Sequence, residues 1–308
     1  MDCLQSNNVR PKVEQKERRL TLLNYFKCNQ DLTEFQEKFN RWHNGIIELI
    51  RTFASKKFID RRNVDNTKPD DASIITLMCF RSIYNITTLR KLHQIALETL
   101  GKNQISCYSG FTRRCKHLRK LLQIIRRGLL SLTTITETAI IDSYPLALCQ
   151  PIRNHRASLF AGKANIGYNA TKQVYFYGFK VHVLTDLHGV ILNYEVAPAS
   201  IHDVKVAPEL LETCPCPYVL GDVGYLSKQL RQNLARVGVE LWTPFRSNMK
   251  GAQEHNDPTL KRLRRRIETT FSQLTLGGGE TSYSRSLGGL QAKLEALFLT
   301  HNLLKLGF

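Results

Sequence analysis

The chain has 308 residues, 42% of them hydrophobic, and 44 Lys and Arg against 26 Asp and Glu, for a formal net charge of +18 and a pI near 9.7. That is enough apolar material for one large or two ordinary domains without crosslinks, which excludes a disordered or fibrous chain. The cationic excess points to a polyanionic partner, leaving ribosomal, RNA-processing and DNA-processing roles open on charge alone.

Residues 1–30 read as a basic tail. Its Arg10, Lys12, Lys16, Arg18 and Arg19 interrupt any apolar leader, and nowhere does the sequence reach the roughly 18 apolar residues of a membrane span. A cytoplasmic protein with no membrane partner is expected. Residues 31–59 predict one helix, because Phe35, Phe39, Trp42, Ile46, Leu49 and Phe53 recur at spacings of three and four. Asp31 or Thr33 would cap it. Such a stripe is covered either by other helices of the chain or by a second subunit.

A polar connection at 60–70 leads to expected helices at 71–83 and 88–100, broken at Asn85–Thr88, an outline like that of helix-turn-helix proteins. Residues 111–130 predict a further helix with Leu118, Leu121, Leu122, Ile125 and Leu129 on one face. Its other face carries Arg113, Arg114, Lys116, Arg119, Lys120, Arg126 and Arg127 with no acid among them. The expectation is an all-helical DNA-binding region over 31–130, in which these side chains contact phosphates.

From residue 131 the periodicity turns to strands. Strands are expected at 139–149, 174–186 and 190–197, the last two joined by a hairpin turn at Asp186–Gly189. A helix at 199–211 follows, then a strand at 218–222, a helix at 227–237 and a strand at 239–243. A long helix opens at Asp257–Pro258 and runs through Gln273, Asp257 serving as its cap. The eight cysteines show no paired CxxC spacing, and Cys214 with Cys216 supplies only two ligands, so free thiols are expected rather than zinc or disulfides.

This order of elements is the ribonuclease H-like topology: an α/β domain over 131–308 with a mixed five-stranded sheet flanked by helices and closed by a C-terminal helix. In that topology the first and fourth strands lie parallel at the sheet centre, so Asp142 and Asp222 become neighbours at their carboxyl ends. Glu268, at the edge of the apolar stripe of the last long helix, is the third acid. The three are separated by 80 and then 46 positions. Carboxylates so gathered repel one another unless divalent metal lies between them, which suggests a phosphoryl-transfer site. Lys180 and His182 alternate onto one strand face and are candidate catalytic side chains. Arg153 and Arg156 in a basic loop, with Lys261, Arg264 and Arg265 on the helix of Glu268, are candidate DNA contacts. Asp203 is left between a helix cap and a supporting role, and Asp186 reads as a turn former.

The segments Ile140–Pro145, Tyr177–His182, Ala197–Asp203, Leu220–Tyr225 and Arg266–Phe271, in this order, resemble those of DDE transposases of bacterial insertion sequences. The resemblance implies that Asp142, Asp222 and Glu268 are the metal ligands for two Mg²⁺ ions, with Mn²⁺ as substitute. It also implies that the protein nicks double-stranded DNA at terminal inverted repeats and joins the 3′ hydroxyls to target DNA. Val223 departs from the pattern, since relatives often carry a more polar or basic residue there. A homodimer or higher oligomer and association with the nucleoid follow from the same resemblance. Two alternatives stay open: a ribonuclease H-like nuclease that cuts without joining, and a catalytically inactive DNA-binding protein.

Overall fold

A computed structural model of the chain describes residues 29–60, 68–170 and 172–308, with side chains from Thr33 onward. Expectations placed on residues 1–28, on the Asp31 side chain and on residues 61–67 fall outside these.

Helix α1, Asn29–Phe53, ends near Ala54, and a short α2, Lys56–Ile59, follows it. The stripe from Phe35 to Leu49 is buried within the chain, against α3, Asp71–Ile83, and α6, Arg119–Leu129. Gly128 on α6 is what allows α1 so close, because a β-carbon there would meet the ring of Phe53 at 2.3 Å. Asp70 caps α3 by accepting from the N–H of Ser73 (2.6 Å), and Thr88 caps α4, Leu89–Thr99, in the same way through Lys91 (3.2 Å). The single helix expected over 111–130 is two: α5, Tyr108–His117, and α6, joined at Leu118.

The sheet has six strands rather than five. Central β1, Thr138–Ala147, pairs antiparallel with β3, Val174–Asp186, and parallel with β5, Tyr218–Gly221. Beyond β5 lies β6, Glu240–Trp242, and on the far side of β3 lies β4, Ile191–Pro198. The strand missing from the sequence reading is β2, Asn165–Asn169, which pairs with the first half of β3. Asp186 makes the hairpin turn between β3 and β4: its Oδ1 accepts from the N–H of His188 (2.9 Å) and Val190 (2.8 Å), and Gly189 supplies the positive φ of 82°.

One sheet face packs on α7, Asp203–Leu211, and α8, Lys228–Arg236, through Ile141, Leu184, Leu210 and Leu234. After the short α9, Ala252–His255, the expected long helix is broken at Arg265 into α10, Pro258–Arg264, and α11, Arg266–Leu276. The other sheet face packs on α11 and on α12, Leu287–Lys305, through Tyr144, Val181, Leu274 and Leu294. Helix α12 is buried on most of its sides, and the polar side chains it takes inside, Lys293, Glu295, His301 and Asn302, find hydrogen-bond partners there. Leu290, Leu294, Leu297 and Phe298 face the sheet, while Ala292, Ala296, Leu299 and Leu303 belong to the core of the N-terminal helices.

Candidate active site

Two neighbouring strand ends build the site. Ile140 lies opposite Leu220 and Ile141 opposite Gly221 in the parallel pairing, so the next residues, Asp142 and Asp222, emerge side by side on one face. Gly221 is tightly enclosed, a β-carbon there meeting Thr243, Tyr225 and Ile141 at 3.3 to 3.4 Å. Asp142 Oδ1 accepts from the N–H of Ser143 (2.8 Å), and the side chain is largely covered, whereas Asp222 is half exposed.

Between them stands a guanidinium. Arg264, the last residue of α10, donates from Nη1 to Asp142 Oδ2 (3.1 Å) and holds the same nitrogen 3.9 Å from Asp222 Oδ1. Burial pushes the Asp142 carboxyl up to about 7, and the charges of Asp222 and Asp203 push the same way. The Ser143 N–H and Arg264 pull against them. Two carboxylates that would repel thus share one cation.

Glu268 is not brought into this pair. It lies exposed in the first turn of α11; its backbone N–H donates to Arg265 (3.0 Å) and its carbonyl accepts from Ser272 Oγ (2.9 Å). Among the described residues no three of His, Cys, Asp and Glu are grouped as a cation site. The turn that faces the aspartates is the one carrying Arg264, four residues earlier on what would be the same flank of a continuous helix.

Lys180 and His182 project from the opposite face of the sheet. Asp142 is paired with Val183 and Ser143 with His182, so alternation turns both side chains away from Asp142. There Lys180 Nζ meets Asp203 Oδ1 at 2.5 Å, which answers for Asp203: it pairs across to β3 rather than capping α7. His182 is fully buried, with Nδ1 2.9 Å from the hydroxyl of Tyr225 and Nε2 without a partner. Burial, helped by Lys180, pushes its pKa down to about 4 against the pull of Asp203, so the ring is neutral. Tyr225 arrives through the 3-10 turn Val223–Tyr225, and in that turn a β-carbon at Gly224 would come within 2.9 Å of Asp203 Oδ2. The tyrosine is buried and its hydroxyl held well above the ordinary value, by burial first and then by Asp203 and Asp142.

The basic side chains divide sharply. Arg113, Lys116, Lys120, Arg153, Arg156 and Arg265 are exposed, and Lys261 is partly so. Arg114 donates to Asp71 (2.7 Å) and to the carbonyl of Pro69, Arg119 donates to Gln291, and Arg126 is sealed in the interior on Glu295. Arg264 is bound to the aspartates. The bridging Arg264 and the Lys180–Asp203 pair are the features that sequence reading missed. A signal for the first existed in the Arg264-to-Glu268 spacing, which puts two opposite charges in competition for one place.

Residues 132–277 match the family model described as the transposase DDE domain, a span that includes every strand of the sheet and α7 to α11. No curated protein matches the chain.

Proposed function

We infer, from the match of residues 132–277 to the transposase DDE domain, that the chain cleaves DNA phosphodiester bonds at the ends of a mobile element and joins the freed 3′ hydroxyls to target DNA. The observation that carries this reading is the pair Asp142 and Asp222 on adjacent parallel strand ends, already gathered around one positive charge. Charge and donor type fit a divalent ion: hard carboxylate oxygens, partly open to solvent, with one nitrogen cation in contact with both. Asp142 and Asp222 would hold Mg²⁺ or Mn²⁺, and Glu268, exposed in the first turn of α11, would serve as third ligand only after moving toward the pair. When bound, two such ions supply Lewis acidity at the phosphodiester and a deprotonated attacking oxygen.

The chain's own groups supply the rest. Asp142, whose carboxyl burial pushes up to about 7, holds its proton more tightly than a free carboxyl and would lose it as an arriving cation takes the proton's place. Lys180 and Asp203 brace β3 against α7, and the neutral His182 holds Tyr225 under the loop of Asp222, so these four fix the strand ends from behind. The exposed Arg113, Lys116, Lys120, Arg153, Arg156 and Arg265, with the partly exposed Lys261, are the cations that would hold the DNA backbone. Joining two ends calls for a dimer or larger assembly, working on double-stranded DNA at the nucleoid. Among the described residues no helix is long and apolar enough to cross a membrane.

The test is a purified-protein assay on DNA bearing the element's terminal repeats, with and without Mg²⁺. Nicked and joined products that vanish in Asp142→Asn and Asp222→Asn, with DNA binding retained, support the reading. Nicks without joined products would favour a nuclease of the same fold. Cleavage unaffected by either substitution would remove the aspartate pair from the chemistry.

A further inference from the structure

Between Asp142 and Asp186 the chain has no acidic residue, whereas Arg153, Arg156, Lys163, Lys172 and Lys180 all fall there. The middle of this stretch forms an annex to the sheet. Past the end of β1 the chain enters a 3-10 turn, Pro151–Arg156, on one side of β3, and β2 runs along the other. Asn154 fastens the turn to the ribbon: Nδ2 donates to the carbonyl of Tyr175 (2.9 Å), and Oδ1 accepts from the N–H of Tyr177 (3.1 Å).

Tyr168 and Tyr175 are register partners across β2 and β3, with ring centroids 5.0 Å apart and planes tilted by 54°. They remain 52% and 64% exposed, and Ile152 in the fastened turn is 88% exposed. Apolar area left in water forgoes roughly 25 cal/mol per Å², so a cluster of large exposed side chains is more informative than a single one. Lys172 is paired with Glu280 at 3.0 Å, but Arg153, Arg156 and Lys163 are exposed and form no ion pair among the described residues.

We propose that this ribbon is a platform for unpaired nucleotides of the DNA, with Tyr168 and Tyr175 stacking on bases that have left the duplex while Arg153, Arg156 and Lys163 hold the adjoining phosphates. The inference rests on the DNA-processing reading and adds to it which state of the DNA is held, and where. A duplex hides its base faces, so exposed rings beside cations match a strand whose bases are splayed out. A protein segment docking on the same edge would have use for the tyrosines but none for an acid-free, cationic surround. Position agrees with the role. Tyr175 is eight residues along β3 from Val183, the partner of Asp142, or roughly 27 Å at about 3.4 Å per residue. A strand following β3 would meet the rings within about eight nucleotide steps of the point of cleavage, about 3.4 Å per step being the duplex rise and an unstacked strand needing fewer.

The experiment compares binding of the full chain to a blunt duplex and to the same duplex with an unpaired arm of about ten nucleotides, by fluorescence anisotropy. The wild type is expected to favour the forked probe by about tenfold, as stacking of one or two bases allows. The double variant Tyr168→Leu, Tyr175→Leu should lose that preference while keeping its affinity for the blunt duplex. Tyr168→Phe with Tyr175→Phe should keep it. Absence of preference in the wild type, its survival in the leucine variant, or its loss in the phenylalanine variant overturns the inference. So does a fall in oligomeric mass in the leucine variant with DNA binding unchanged, which would assign the ribbon to contacts between copies. Failure of the DNA-processing reading is separately visible, as cleavage indifferent to Asp142→Asn in the same preparations.

Discussion

Two groups of charges in this molecule look alike in a diagram and differ in every physical respect. In the interior, Arg126 of α6 and Glu295 of α12 meet at 2.7 Å with 0% and 2% of their side chains exposed. Glu295 also accepts from the hydroxyl of Tyr194 (2.9 Å), and the Arg126 guanidinium lies 5.1 Å from the centre of that ring. One acid meets one base, and strand β4, α6 and α12 are held together by the result. At the sheet's end, Asp142 and Asp222 face Arg264: two acids against one base, partly open to water. A sealed, balanced network has nothing to exchange with solvent, whereas an open one with surplus negative charge holds its cations only until a better one arrives.

The largest expected effect is on the interior pair. Arg126→Ala leaves the Glu295 carboxylate buried without its partner, and denaturant titration should report a loss of about 3 to 5 kcal/mol. Replacing both, as Arg126→Met with Glu295→Leu, should recover most of that loss because no unpaired charge remains. A single-variant cost under about 1 kcal/mol would mean that water reaches the pair, and the contrast with the open site would collapse.

At the site the ranking reverses: activity suffers and stability does not. Asp142→Asn should reduce divalent-ion-dependent cleavage by at least about a hundredfold, the scale of losing a group that organises transition-state charge. Its effect on stability follows from the raised pKa. The folded state keeps a proton on Asp142 up to about pH 7, whereas the unfolded chain gives it up near the ordinary carboxyl value of 3.8. Folded protein therefore binds more protons between these values, and wild-type stability falls as pH rises through that window. Without added metal, Asp142→Asn should be more stable than the wild type at pH 8 and equal to it below pH 4. A parallel decline of both proteins with pH would place the titrating group elsewhere.

How much of this was legible in the sequence can be judged residue by residue. Asp142 and Asp222 stood out because an apolar strand ending in an acid is a local pattern, and the topology that makes them neighbours follows from element order. Strand β2 was not legible: Asn165–Asn169 is short, with glycine and two asparagines, and it is recruited by pairing to β3 rather than by its own propensity. The facing of Lys180 and His182 was half legible, since alternation put them together but only the register with β1 says which face they share. Arg126 passed for a member of a solvated basic face because its partner is 169 residues away. Glu268 and Arg264 compete at a spacing of four, and nothing in the sequence marks the break at Arg265, which carries neither glycine nor proline.

A smaller effect sharpens the same contrast from within the site. If the Arg264 guanidinium serves as the resident cation of the aspartate pair, Arg264→Gln should raise Mn²⁺ affinity, measured by titration of the free-ion EPR signal. The expected gain is about fivefold, or about 1 kcal/mol, the energy of one partly screened charge at contact distance. Unchanged affinity would say that the arginine yields its place at no cost, and the surplus of acids alone sets binding.

The smallest effect compares two arginines one residue apart on α5. Arg113 is exposed, whereas Arg114 is held by Asp71 and by the carbonyl of Pro69. Both count equally toward the net charge, but only an uncommitted cation can release counterions from DNA. Arg113→Gln should therefore lower the slope of log affinity against log salt by about 0.9, the value of one phosphate contact on duplex DNA, and leave stability unchanged. Arg114→Gln should leave the slope as it is and cost about 1 kcal/mol of stability, since a partly covered ion pair and its carbonyl contact are lost. Salt titrations that lower the slope equally for both would show that Asp71 surrenders Arg114 to the DNA, and the helical region would then bind by opening its own ion pair.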